Sequence, residues 1–214
     1  DILIMSYIKI KNMSKRIKKR NVLEDITVSF EKGKIYGLYG RNGSGKTMLL
    51  RAIAGLIRPS TGEILIDGKK LHKDISFPPS VGVIIEHTSL LPQFDAYTNL
   101  KQLSKIKKCA TDDDIFTALE KVGLVGEKKK VREYSLGMKQ KLAIAQAIFE
   151  KPELLLLDEP TNGLDEESVK RLKELLLKEK KRNIVIILAS HNKEDLENLS
   201  DEIIFMDMGK VKRT

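Results

Sequence analysis

Residues 40–47 read G-R-N-G-S-G-K-T and meet the phosphate-binding pattern G-x-x-x-x-G-K-[ST] at every constrained position. No other stretch restricts the fold so tightly, because this pattern works only where a strand turns into a helix. Its flanks meet that condition. The apolar, β-prone run Ile35-Tyr36-Gly37-Leu38-Tyr39 precedes it, and the helix-prone run Met48-Leu49-Leu50-Arg51-Ala52-Ile53-Ala54 follows. Glycines let backbone N–H groups turn inward around an anion, and the helix start adds the positive end of its dipole. Lys46 is then placed to reach the β- and γ-phosphates, and the Thr47 hydroxyl to hold Mg²⁺. Arg41, Asn42, Gly43, Ser44, Gly45, Lys46, Thr47 and Met48 are therefore candidate nucleotide contacts. The chain is expected to bind a nucleoside triphosphate.

A chain of 214 residues has room for one sizeable core and a small inserted subdomain. With 41% hydrophobic and 32% charged residues it reads as globular rather than disordered. No apolar run reaches the length of a membrane span and no signal peptide is evident, so a membrane protein has to be a partner. Cys109, the only cysteine, sits in a Lys-rich stretch, is read as incidental, and points to a reducing cytoplasm. Residues 1–4 precede Met5, the expected native start, and are read as non-native additions ahead of a single domain over residues 5–214. The net charge is +9, with lysines grouped at Lys105, Lys107 and Lys108, at 128–130, and at Lys178, Lys180 and Lys181. Such runs are read first as solvated faces; the sharper readings are attraction to an anionic membrane surface or to nucleic acid. With no tryptophan and 5% aromatic residues, the chain offers no evident stacking platform for single strands.

Along the chain, Ile8 and Ile10 alternate, as do Ile26, Val28 and Phe30, with Glu31-Lys32-Gly33-Lys34 as a turn. Short strands are predicted at 63–67 and 81–85. The texture then turns helical over 100–122, with Thr111 and Asp114 spaced as a capping pair. A further helix is predicted near 136–149, with Leu142, Ala145, Ala147 and Ile148 as buried positions. Buried strands are predicted at 154–157, 184–188 and 203–206, with a helix at 166–180. Strands alternating with helices point to a mostly parallel sheet covered on both faces.

The strand Leu154-Leu155-Leu156-Leu157 ends in Asp158 and Glu159. Carboxylates at the end of a buried strand are costly unless a cation meets them. Beside a phosphate loop, that cation is Mg²⁺ on the nucleotide, with Asp158 holding the metal through water and Glu159 where the attacking water would be. Ser135 can cap a helix starting near Leu136, and Gly137 lets the backbone approach an anion.

These motifs together resemble the nucleotide-binding subunit of an ATP-binding cassette (ABC) transporter, over residues 7–213. Leu157-Asp158-Glu159-Pro160-Thr161-Asn162-Gly163-Leu164-Asp165 resembles the family's Walker B strand running into its D-loop. Ala189-Ser190-His191 resembles the switch histidine, and Tyr134-Ser135-Leu136-Gly137-Met138 occupies the signature position, where L-S-G-G-Q is usual. The resemblance implies an α/β fold: a RecA-like P-loop core, a small antiparallel β part from the N-terminal region, and a helical insert near 88–150. It implies Mg²⁺-dependent ATP hydrolysis in a head-to-tail dimer, with Ser135, Leu136, Gly137 and Met138 facing the nucleotide of the other subunit. Glu159, His191 and Lys46 would be the catalytic residues, and Thr47, Asp158 and Glu86 the metal set. Expected partners are a transmembrane permease and a second cassette, as a homodimer with ATP. The location implied is cytoplasmic, on the inner face of the membrane, and no nucleic acid is expected. The alternative is a soluble ABC ATPase acting on nucleic acid or protein assemblies, which the charge of +9 keeps open although the chain has one cassette and no sustained heptads.

Several positions depart from the family's pattern. Ile17 falls where an aromatic residue usually stacks on adenine; it can cover a base face but offers no π-stack, and Tyr7 is a poorly placed substitute. Glu86 stands where a glutamine is usual, adding a negative charge that should raise the pKa of a neighbouring carboxylate. The signature reads S-L-G-M. Glu86 together with S-L-G-M resembles ATPases of bacitracin- and lantibiotic-type peptide exporters.

Overall fold

The computed structural model describes residues 6–212; the expected start at Met5 and the far end of the resemblance at Arg213 lie outside them. In chain order the elements are β1 (Ile8–Ile17), β2 (Arg20–Phe30), β3 (Lys34–Tyr39), α1 (Lys46–Ile53), β4 (Thr61–Ile66), β5 (Lys69–Lys70) and β6 (Val81–Ile84). Then come α2 (Ala96–Lys107), α3 (Asp112–Val122), a 3₁₀ turn (Val131–Glu133), α4 (Leu136–Ile148), β7 (Leu154–Asp158), α5 (Glu166–Lys180), β8 (Val185–Ser190), α6 (Lys193–Leu199), β9 (Glu202–Asp207) and β10 (Lys210–Lys212).

Two sheets organise the chain. The larger has the order β10-β9-β3-β8-β7-β6 and is parallel except where β10 folds back on β9. The smaller, β2-β1-β4-β5, is antiparallel. The side-chain period of two divides the larger sheet's apolar residues between two cores. Leu155, Leu157, Ile186 and Leu188 face the helical side with Ile144, Ala145 and Leu176. Leu154, Leu156, Val185, Ile187 and Ala189 face α1 and the antiparallel sheet, meeting Leu49, Leu50, Ile53 and the alternating Ile8, Ile10, Ile26, Val28 and Phe30. Strands buried on both faces explain the unbroken apolar runs of β7 and β8. The expected α/β architecture, parallel sheet and N-terminal antiparallel part are all present.

Three local expectations change. The helical pattern over 100–122 is two helices, because Lys108 takes a left-handed conformation (φ +57°) that ends α2. Thr111 and Asp114 then start α3 with reciprocal side-chain–backbone bonds, the capping box their spacing suggested. The strand predicted at 184–188 runs from Val185 to Ser190, and α6 and β10 were not foreseen. Among the described residues no helix is long and apolar enough to cross a membrane.

Candidate active site

The phosphate loop leaves the C-terminal end of β3, a strand paired on both sides by β8 and β9. Gly43 (φ +81°) and Gly45 (φ +104°) take the positive φ angles that bend its backbone inward. Gly45 caps α1 without any side-chain bond, which leaves the first N–H groups of that helix for a ligand. Ser44 is buried, yet its Oγ has no hydrogen-bond partner among the described residues. Lys46 is also buried, and its ammonium donates to the carbonyls of Gly40 and, at 3.1 Å, Arg41. Burial lowers its pKa, while the charges of Glu159 and Asp158 pull the other way. An uncapped helix start, an unpartnered buried hydroxyl and an ammonium on its own loop's carbonyls fit a triphosphate chain.

The carboxylates arrive from β7. Thr47 Oγ1 donates to Asp158 Oδ2 at 2.6 Å, so the two groups proposed for a metal already touch. Burial pushes the Asp158 pKa up; the Thr47 hydrogen bond opposes this, Glu159 adds to it, Lys46 opposes it, and Glu86 adds to it. The like-charge effect expected from Glu86 is therefore present, but desolvation leads. Among the described residues no cluster of three or more His, Cys, Asp or Glu forms a metal cage. Mg²⁺ suits such a place, since it commonly binds one or two protein oxygens together with phosphate oxygens and waters.

Glu159 sits just past the strand at φ +48°, its N–H bonded to the Ala189 carbonyl at 2.8 Å. Its carboxylate accepts from Ser190 Oγ (3.2 Å) and His191 N–H (3.0 Å), and lies 2.8 Å from His191 Nδ1. With a proton on each ring nitrogen, His191 donates from Nδ1 to Glu159 and presents Nε2–H to a substrate oxygen. Gln140 of α4 donates to the Pro160 carbonyl at 2.9 Å, and Thr161 donates to Asp195 of α6 at 2.7 Å, fixing the turn that carries Glu159.

A cavity of about 830 Å³ joins the phosphate loop to Asp158 and Glu159, while Ser44 and His191 do not line it. It is lined by Asn42, Gly43, Gly45, Lys46, Thr47 and Met48, by Asp158 and Glu159, and by Lys19 to Val22, Glu24, Met208 and Gly209. Several sequence candidates lie off that wall. Arg41 is exposed beside it. Ile17, at the end of β1, is 40% exposed and does not line the cavity. Tyr7 is excluded as a base platform: it is buried under Lys32, its hydroxyl lies 3.4 Å from Glu153, and burial pushes its pKa up to about 12. Glu86 (φ +59°) is ion-paired with Arg51 of α1 and lines a second groove of about 270 Å³. Ser135 caps α4 through the Met138 N–H at 3.2 Å, but Ser135, Leu136, Gly137 and Met138 are not on the cavity wall. Gly137 packs against the D-loop, where an added Cβ would stand 2.7 Å from the Gly163 carbonyl.

Sequence reading missed Arg51, Ser190 and Gln140. Arg51 was accessible in principle, lying four residues beyond Thr47 and so on the same helix face. The other two carry no local signal, since their partners are about twenty to thirty residues away.

Comparison with known proteins agrees with this geometry. Residues 23–162 match the family described as ABC transporter. The uncharacterized ABC transporter ATP-binding protein YybJ of Bacillus subtilis is 58% identical over 206 residues, covering 96% of this chain and 94% of that one. The lantibiotic transport ATP-binding protein SrtF of Streptococcus pyogenes is 36% identical, covering 95% and 88%. The bacitracin transport ATP-binding protein BcrA of Enterococcus faecalis is 39% identical, covering 98% and 70%. A solved ATP-binding subunit of an ABC transporter superposes with a TM-score of 0.87 at 27% identity, covering 97% of this chain and 89% of that one. With phosphate loop, acidic strand end and helix-capping serine all in place on this fold, the chain belongs to the ABC transporter family, as an ATP-binding ATPase subunit.

Proposed function

We propose that this chain hydrolyses Mg²⁺-ATP to drive an exporter of an antimicrobial peptide or similar amphipathic molecule, conferring immunity or resistance. It works as a cassette over residues 5–214, with the helical segment near 88–150 facing a permease at the cytoplasmic side of the membrane. The observation that carries the ATPase reading is one cavity shared by Lys46, Thr47, Asp158 and Glu159. Mg²⁺, held by Thr47 and Asp158 with phosphate oxygens, would supply charge neutralisation. Lys46 neutralises charge on the transferring phosphoryl group, and Glu159 orients and deprotonates the attacking water. His191, protonated on both ring nitrogens, donates from Nε2 to the γ-phosphate while Nδ1–H stays on Glu159. Catalysis of this kind is mainly positioning and electrostatics.

The signature residues lie off this chain's own cavity, which supports a second copy completing each site. Glu86 borders the second groove with Thr88, Leu90, Pro92 and Lys139, and is positioned to pass contact with a permease back to Asp158. The transport reading is further supported by the likeness to proteins named for bacitracin and lantibiotic transport. The test is Glu159→Gln. It should retain Mg²⁺-ATP and accumulate as a dimer in size-exclusion chromatography, with hydrolysis reduced by about 10² or more. Hydrolysis at the parental rate would reject Glu159 as base. Absence of Mg²⁺-ATP binding by the parent chain in calorimetry would reject the whole reading.

A further inference from the structure

The triphosphate end of the cavity is accounted for by the phosphate loop and the carboxylates. The nucleoside must then lie along the remaining wall, formed by Lys19, Arg20, Asn21, Val22, Glu24 and Met208. No aromatic ring lines it, and Ile17 stands outside it. Among the described residues, Val22 and Met208 are the apolar side chains of this wall.

Met208 is anomalous in its own turn. It and Gly209 form the two-residue link between β9 and β10, at φ +47° and φ +77°. Such turns favour Asn-Gly or Asp-Gly, because both central residues need positive φ. Methionine brings neither that tolerance nor a polar group, and 79% of its surface is exposed. The turn is also fixed to the site. Gly209 N–H donates to the Ser44 carbonyl at 2.9 Å, and Glu24 N–H donates to the Gly209 carbonyl at 2.8 Å. A Cβ on Gly209 would come within 2.6 Å of the Val22 carbonyl, so glycine is required for this close approach. A flexible thioether is thus held at the rim of the nucleotide cavity by backbone bonds to the phosphate loop itself.

We propose that Met208, with Val22, is the base-packing wall of this site, and that the site accepts purine nucleoside triphosphates with little discrimination between adenine and guanine. This rests on the ATPase reading above and specifies its substrate class. A thioether packs on a base face without regard to its edge. Strong rejection of the wrong base needs buried polar groups that it would leave unpaired. Here Lys19, Arg20 and Asn21 are exposed, where water can replace a lost partner.

The experiment compares the parent chain with Met208→Ala, Met208→Asn and Met208→Trp, using Mg²⁺-ATP, Mg²⁺-GTP and Mg²⁺-tripolyphosphate in calorimetry. Asparagine suits the turn, so Met208→Asn guards against a folding artefact. Both truncations should weaken ATP and GTP alike, by about two- to tenfold, and leave tripolyphosphate unchanged. The parent should bind ATP and GTP within about tenfold of each other. The sequence has no tryptophan, so Met208→Trp carries the sole indole. ATP and GTP should quench its emission, and tripolyphosphate should not. Unaltered ATP affinity in both truncations would overturn the proposal, as would equal loss for tripolyphosphate or a hundredfold preference for ATP. Each of those results leaves the ATPase reading standing. If the parent binds none of the three probes, both fall.

Discussion

At the scale of single residues, the strongest tension lies around Asp158. The carboxylates of Asp158 and Glu159 face the ammonium of Lys46, and Glu86, on the neighbouring groove, adds a weaker like-charge effect at Asp158. Thr47 relieves part of the burden by donating to Asp158. Arg51, one helical turn beyond Thr47, relieves another part by pairing with Glu86. Removing the Glu86 charge should therefore be felt at the metal. Glu86→Gln is expected to shift the Mg²⁺ concentration for half-maximal ATP hydrolysis several-fold, with an altered response to the permease. A Mg²⁺ profile and coupled hydrolysis both identical to the parent would remove Glu86 from the metal's surroundings. Legibility at this scale followed contiguity. The residues at 40–47 and 154–159 are local strings whose chemistry can be read directly. The Arg51–Glu86 pair joins two helix and strand ends, and only the folded backbone shows it.

At the scale of elements, the clearest local device is the start of α3. Thr111 accepts from the Asp114 N–H at 3.2 Å, and Asp114 accepts from the Thr111 N–H at 2.8 Å and from Lys151 at 2.8 Å. Lys151 first, then the Thr111 backbone, hold the Asp114 pKa down at about 2, against an ordinary 3.8. A depressed folded pKa means the stabilisation is complete above the ordinary value and disappears as pH falls through about 2. Asp114→Asn should lower stability at neutral pH by about 0.5–2 kcal/mol in urea unfolding. It should also flatten the acid dependence of the parent between about pH 4 and pH 2. An unchanged urea midpoint at pH 7 would show that the box contributes nothing. This element was readable because its signal is a three-residue spacing. The split between α2 and α3 was not, because Lys108 has no intrinsic preference for the left-handed conformation that ends α2. β10 was missed for a related reason: its turn carries Met208 where a turn residue belongs, so the hairpin signal is masked.

At the scale of the whole molecule, the site is one-sided. The cavity wall has phosphate-loop amides, two carboxylates and an ammonium, but nothing from α4, whose capped start lies elsewhere with Leu136 69% exposed. Under the proposed head-to-tail pairing, this helix N-terminus and its exposed leucine would face the nucleotide of a second copy. This arrangement has a consequence that single variants do not reveal. Lys46→Ala disables the phosphate loop. Ser135→Asp keeps the helix cap, since aspartate caps as well as serine, but sets a carboxylate against the facing phosphate. Each variant alone should be inactive. In a mixed dimer, one site inherits both defects and the other inherits neither. An equimolar mixture should therefore recover about a quarter of the parental ATPase rate, because half the dimers are mixed and each holds one intact site of two. The recovery should scale with the fraction of mixed dimers as the ratio of the two chains is varied. If the mixture stays as inactive as its components although mixed dimers are detected by native mass spectrometry, the signature does not act across the interface.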